Sequence, residues 1–282
     1  MDPPLRDAFL IGISDPAGVR LLAVDATTAA EEVRVRHGLW KEAAQVAAEG
    51  LVAALLMSAY TKGEERITFQ VQGERPRFSF AADVDADGRV RARFSPATLP
   101  AARPLSGLVL VIKHLPGREL YRGTAPLEHG DFQGALQAYL VRSQQTVGGV
   151  RIASRLGSDG EVALAAGLLV EKLPDASTEV FADLFGDLAA CDLRSVQQDL
   201  AAKTLRGFPV EVLERRGVRF ACPCSQARCE AILLGLGAGE IRSLLEAYGQ
   251  AEMTCQWCGR RYVVPAEQLE RLEAEALRRP RA

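Results

Sequence analysis

Net charge is nearly absent from this chain. Its 282 residues carry 34 Lys+Arg against 36 Asp+Glu, a formal −2, so no overall field draws it toward nucleic acid or an anionic membrane. It has no apolar run of the roughly 20 residues that a bilayer crossing needs. The longest, LVAALLMSAY at 51–60, reads as a buried helix. The start, MDPPLRDAFL, lacks the basic segment, apolar stretch and small-residue cleavage site of a secretory signal, which implies a cytoplasmic protein. Catalytic motifs are missing as well. The three histidines, His37, His114 and His129, are scattered and form no HExxH; they read as surface or packing residues. No GxSxG elbow occurs and no Ser, His and Asp set suggests itself. GLGAGE at 235–240 has no strand before it and no Lys-Ser or Lys-Thr after it, so it reads as a turn between helices. Internal repeats and low-complexity tracts are absent. The chain reads as a non-enzyme that does not bind nucleic acid or membranes.

What is present begins with ordinary globular composition, 48% apolar and 25% charged, enough for one large domain and a smaller one. Two alternating runs around DPAG predict a hairpin over 8–25. Two helices follow, in TTAAEEVRVRHG and WKEAAQVAAEGLVAALLMSAYTKG, with Thr at the first start and Gly63 as the second stop. Alternation broken at GERP and DADG predicts a three-stranded meander over 65–95, and LVLVIKH and LYRGTAPL read as further strands. A helix in GDFQGALQAYLVRSQQT and a strand pair in VRIASRLGSDGEVALAAGLLVEKLP complete the region. Strands and helices in separated runs indicate an α+β class with a mixed sheet and packed helices over residues 1–175. Residues 176–217 read as a helical linker, with Ser177 or Thr178 as cap and Val180, Phe181, Leu184, Phe185 and Leu188, then Leu193, Val196 and Leu200, at amphipathic helical spacing. Residues 218–282 form the smaller C-terminal domain, closing in a charged helix.

That last domain holds the chemistry. Cys222 and Cys224 make CxC, Cys255 and Cys258 make CxxC, and 30 residues separate the pairs. Zinc held by four thiolates is tetrahedral with bonds of about 2.3 Å, which sets neighbouring sulfurs about 3.8 Å apart. Short-spaced pairs supply that separation within a tight turn, and Gly259 suits the left-handed residue such turns need. Two readings fit the spacing: a structural zinc ribbon, or a redox use of the same cysteines. Residues 218–265 contain only fifteen large apolar side chains, so the core is small and the ion must supply much of the stability. Pairing Cys222 with Cys224 and Cys255 with Cys258 would give up the ion. Bridges this short restrain the unfolded chain very little, so oxidation would leave the domain open. Cys229 lies outside the four and reads as a thiol on a helix, with an extra ligand or disulfide partner as its alternative; Cys191 reads as a small buried hydrophobe of the linker. Arg219, Arg228, Arg260 and Arg261 flank the cysteines as a solvated basic face that could also attract anionic oxidants.

VRLLAVDAT, RHGL, ITFQVQGERP, DGRVRA, YRGTAPLEHGD, YLVRSQQT, AAGLLVEKLPDA, VRFACPCS and TCQWCGRRYVV run along nearly the whole chain. Together they resemble the heat-shock protein 33 family of redox-regulated bacterial chaperones. The resemblance implies that Cys222, Cys224, Cys255 and Cys258 hold one Zn2+ in the reduced form and are the redox switch. It further implies that oxidation with unfolding stress frees the linker and zinc domain, that the α+β domains form a homodimer, and that unfolding clients are held without ATP. At Pro223 the chain departs from the acidic or polar residue the family often carries; a fixed φ there alters how readily the first pair strains into a disulfide. Two rival functions are a zinc ribbon that binds nucleic acid and a CxxC thiol oxidoreductase. Residues 206–282 carry only two more Lys+Arg than Asp+Glu, which a four-thiolate zinc centre cancels, so phosphate binding is disfavoured. CQWC follows another cysteine pair near the chain end rather than opening a helix of a βαβ unit, which disfavours the oxidoreductase.

Overall fold

The computed structural model describes residues 7–101, 104–127, 130–144, 147–190 and 192–278, with the backbone alone at 143 and 144. The described residues form two compact units, one up to Ala221 and one from Cys222 onward. Cys191 and His129 lie outside the described residues.

In the first unit, β1 (Ala8–Ser14) and β2 (Val19–Asp25) make the expected hairpin, Ser14 opposite Val19. Helix α1 (Thr27–His37) starts where the Asp25 carboxylate accepts the Thr27 amide at 2.9 Å, and stops at Gly38 in left-handed backbone, φ +60°. Helix α2 (Glu42–Met57) runs into a 3₁₀ turn to Tyr60. It stops short of Gly63 because the hydroxyls of Ser58 and Thr61 bond back to the carbonyls of Leu55 and Ser58. Strands β3 (Arg66–Arg75), β4 (Arg77–Asp85) and β5 (Arg89–Ser95) form the meander, followed by β6 (Ser106–Leu115) and β7 (Arg118–Pro126). Then come α3 (Phe132–Tyr139), capped by the Asp131 side chain, and the pair β8 (Gly148–Leu156) and β9 (Val162–Lys172).

The strands of the expected α+β body lie in two sheets. One is antiparallel throughout, in the order β12-β1-β2-β9-β8, where β12 is Glu211–Gly217. The other runs β13-β5-β4-β3-β6-β7 and is mixed only because the two-residue β13 (Arg219–Phe220) lies parallel to β5. Helix α2 packs on strands of both sheets, and its side chains with Phe9, Phe69, Phe80 and Phe132 form the main core. Gly50 lets it approach: a Cβ there would meet the Phe80 ring at 2.7 Å. The stretch Glu42–Tyr60 is long and apolar enough to cross a membrane, yet 78% of its most apolar window is buried, as a core helix requires.

The linker expectation needs correction over 202–217. Helices α4 (Thr178–Ala190) and α5 (Leu193–Ala201) are present, with Ser177 Oγ accepting the Val180 amide at 3.4 Å. They lay Phe181, Leu184, Leu188, Val196 and Leu200 on the second face of the five-stranded sheet, against Leu10, Leu21, Leu168 and Val170. Past Ala201 the chain is extended: β10 (Thr204–Leu205) and β11 (Phe208–Pro209) pair with each other, and β12 joins β1. The segment EVLERRG is too short and too charged on both faces to bury a helical stripe, and an otherwise bare β1 edge offers it backbone partners.

The second unit comprises α6 (Gln226–Leu236), α7 (Ala238–Tyr248), the hairpin β14 (Gln250–Thr254) and β15 (Arg261–Pro265), and α8 (Ala266–Arg278). The expected turn at GLGAGE narrows to Gly237, at φ +90° between α6 and α7, its other residues belonging to the two helices. Six buried side chains make its core: Leu233, Ile241, Ala251, Val264, Leu269 and Leu272.

Candidate metal centre

Two short turns present the four cysteines. Cys222 and Cys224 lie just ahead of α6, whose start is capped by Ser225: its hydroxyl accepts the Arg228 amide at 3.2 Å. Cys255 and Cys258 occupy the tip of the β14–β15 hairpin. There the Cys255 amide donates to the Arg260 carbonyl at 2.9 Å, and the Gly259 amide donates to the Cys255 carbonyl at 2.8 Å. Gly259 sits at φ +69°, the left-handed conformation expected of it. Gln226 Nε2 donates to the Val263 carbonyl at 3.1 Å and ties the helix start to β15.

The turns bring Cys222, Cys224, Cys255 and Cys258 together, their sulfurs all within 4.8 Å of one another. Cys222 and Cys255 are 3.6 Å apart and Cys224 and Cys258 3.3 Å, so close contacts link the two turns. Both lie close to the about 3.8 Å edge of a tetrahedral zinc-thiolate site. Four sulfurs with no competing oxygen or nitrogen suit a soft, thiophilic ion such as Zn2+.

The surroundings treat the four unequally. Burial pushes the Cys258 thiol up to about 12 and raises that of Cys222. Burial opposes ionisation at Cys224 too, but the Tyr262 hydroxyl, donating to its sulfur at 3.0 Å, and the neighbouring thiols bring it down to about 7. Tyr262 escaped the sequence reading. It stands 38 positions from Cys224, and no spacing rule links them; the hairpin register does, by placing Tyr262 opposite Met253 beside the CxxC tip.

Other expected features resolve plainly. Cys229 is a buried thiol on α6 outside the four-sulfur group. Arg261 pairs with Glu252 on the hairpin. Arg219 lies in the first unit, on β13. His37 and His114 serve packing and hydrogen bonding in the first unit, to the Ala92 carbonyl and to Thr68 Oγ1, each at 3.0 Å.

Comparison with known proteins agrees with this arrangement. The family model described as Hsp33 protein matches residues 7–265. The 33 kDa chaperonin of Bacillus subtilis is 30% identical over 278 residues, covering 92% of this chain and 96% of its own. That of Citrifermentans bemidjiense is 29% identical over 289 residues, covering 96% and 98%. The crystal structure of the 33 kDa chaperonin from Thermotoga maritima superposes with a TM-score of 0.83 at 23% identity, over 96% of this chain and 99% of the other, and shares the fold. With more than three quarters of the chain in an α+β body, four convergent sulfurs after it and a family match across nearly all of both, this chain belongs to the Hsp33 family.

Proposed function

We propose that the protein is a redox-regulated chaperone, an ATP-independent holdase that is inactive when reduced and binds unfolding proteins once oxidised. One observation carries the reading: four sulfurs from two local pairs converge in a unit whose apolar core holds six buried side chains among the described residues. Cys222, Cys224, Cys255 and Cys258 would hold one Zn2+. Bound there, the ion would cross-link the two turns and supply structural stabilisation, apparent values for comparable small sites being about 10–16 kcal/mol. Tyr262 and the amides around Cys255 orient the ligands.

Oxidation acts on the thiolates. Two thiolates of one turn lose two electrons to a peroxide, which takes up two protons and leaves as two waters; the product is one disulfide. Although sulfurs of different turns touch in the folded unit, local pairing of Cys222 with Cys224 and of Cys255 with Cys258 is favoured as the unit opens. Only sulfurs within one turn then stay in reach of each other. Such small loops add little restraint, so the unit remains open.

The release spreads along the chain. β12 ends at Gly217, five residues before Cys222, and α4 and α5 cover an apolar sheet face through Phe181, Leu184, Leu188, Val196 and Leu200. Lifting them bares Leu10, Leu21, Leu168 and Val170, a surface for unfolding or oxidatively damaged clients and for a second copy, consistent with an oxidised homodimer. A resting state with four thiols fits a reducing cytoplasm, and no enzymatic activity is ascribed to the chain. Treating the zinc-loaded protein with peroxide or hypochlorite should release zinc, lower helical circular dichroism and suppress light scattering by a heat-denatured client. Zinc loss with unchanged scattering sinks the chaperone reading. Turnover in an insulin-reduction assay would favour the thiol oxidoreductase instead, and salt-dependent binding to generic RNA or DNA the nucleic-acid ribbon.

A further inference from the structure

The outer edge of the five-stranded sheet is covered by a poor partner. β12 pairs antiparallel with β1 over six residue pairs, from Ala8 opposite Gly217 to Ile13 opposite Glu211, with a register shift at Ile11 and Gly12. β1 is apolar on both faces: Phe9 and Ile11 enter the main core, Ala8 and Leu10 the core under α4 and α5. β12 answers with little burial. Glu211, Leu213, Glu214 and Arg215 are exposed, and Val212 and Arg216 are half-buried, the latter stacked 4.3 Å from the Phe9 ring. Its grip is therefore mostly backbone hydrogen bonding, which any extended chain can supply. A strand carrying apolar side chains at alternate positions would make the same ladder and bury more.

We infer that the β1 edge is a docking site for an extended apolar strand of an unfolding client, and that β12 occupies it as a replaceable stand-in. This inference rests on the proposed release of the linker and adds main-chain pairing to the apolar surface that release bares. An unfolding protein offers such segments as strands stripped from its own sheets, so the partner is recognised by alternation and unpaired backbone rather than by sequence.

The test uses the full chain, reduced and zinc-loaded, with the double substitution Glu214→Pro and Arg215→Pro. Consecutive strand residues point their amides to opposite sides, so one proline removes a ladder donor and uncovers β1 without oxidation. The probe is a labelled ten-residue peptide of alternating valine and threonine, with a twin N-methylated at two adjacent central residues to block both edges. The double variant should bind the peptide at least about tenfold more tightly than the parent, and the twin should lose about that factor, the equivalent of one good hydrogen bond. Amides of residues 8–14 should regain exchange protection when peptide is added. Equal binding of peptide and twin overturns the inference, as does protection of β1 by dimerisation alone, seen in sedimentation, which would make a second copy the occupant. If the variant loses protection in β3 and β4 it has not folded, and Arg216→Ala, which removes the Phe9 stack, the bond to the Ala86 carbonyl and the Glu214 pair but leaves every ladder amide, carries the same comparison. Peptide binding by the variant with none by the oxidised parent refutes the redox release and keeps the docking edge. The reverse, client holding by the oxidised parent with no edge-dependent binding by the variant, refutes the edge and keeps the switch.

Discussion

Leu269 measures how far the second unit depends on metal. It is fully buried on α8, in a core of six side chains. Truncation to alanine removes three methyl-sized groups and leaves a void, at a cost of about 2–5 kcal/mol. A core this small supplies only about 3–5 kcal/mol in all, so the substitution cancels what packing contributes. A structural zinc adds about 10–16 kcal/mol apparent, which exceeds the loss. Leu269→Ala should therefore leave residues 222–278 folded in the zinc-loaded chain, with amide exchange protection lowered by about two to three powers of ten. Stripping the metal with a chelator under reducing conditions should abolish protection there, in the parent as in the variant, while β3 and β4 keep theirs because their core is independent. Hydrogen exchange read by region, on both chains in both states, gives the four values. Full protection of residues 222–278 in the metal-stripped parent would refute the reasoning, since packing alone would then suffice.

Three further outcomes follow from single contacts. Tyr262→Phe removes the hydroxyl that donates to Cys224 and should weaken zinc binding by about tenfold, read by competition with a chromogenic chelator. Gly149→Ala places a Cβ 1.7 Å from the Phe185 ring of α4; the overpacking, about 1–3 kcal/mol, should raise exchange in α4 and lower the oxidant dose needed for client holding. Glu31 accepts from Arg34 and from the Val162 amide, and the Arg34 hydrogen bond holds its carboxyl below the ordinary value against the opposing effect of burial. A depressed folded pKa stabilises above the unfolded value of about 4.3 and loses that contribution as pH falls through the folded one. The gap in urea stability between the parent and Glu31→Gln should therefore be widest near neutrality and close on acidification.

Much of the site was legible because its signals are local. A CxC turn, a CxxC turn and Gly259 specify their own backbone within a few residues, and each needed only a fold that brings the two turns together. The hairpin over 8–25, the meander over 65–95 and the buried run at 51–60 were likewise written in short periodicities. EVLERRG was not, since its charges hide which element it joins.

The amino-acid order by itself determined the two paired-cysteine turns, the α+β class and where most strands and helices begin, since spacing and alternation act over one turn or one pleat. Only the tertiary structure decided that two sheets enclose α2, that residues 211–217 pair with a strand two hundred positions earlier, and that Tyr262 reaches Cys224. It also decided that Asp83 and Glu171 are buried, against Arg66 and Arg91 in one case and Arg20 and Tyr60 in the other. Those outcomes depend on which edges and faces remain open once the rest of the chain has packed, a competition among distant segments that no local pattern records.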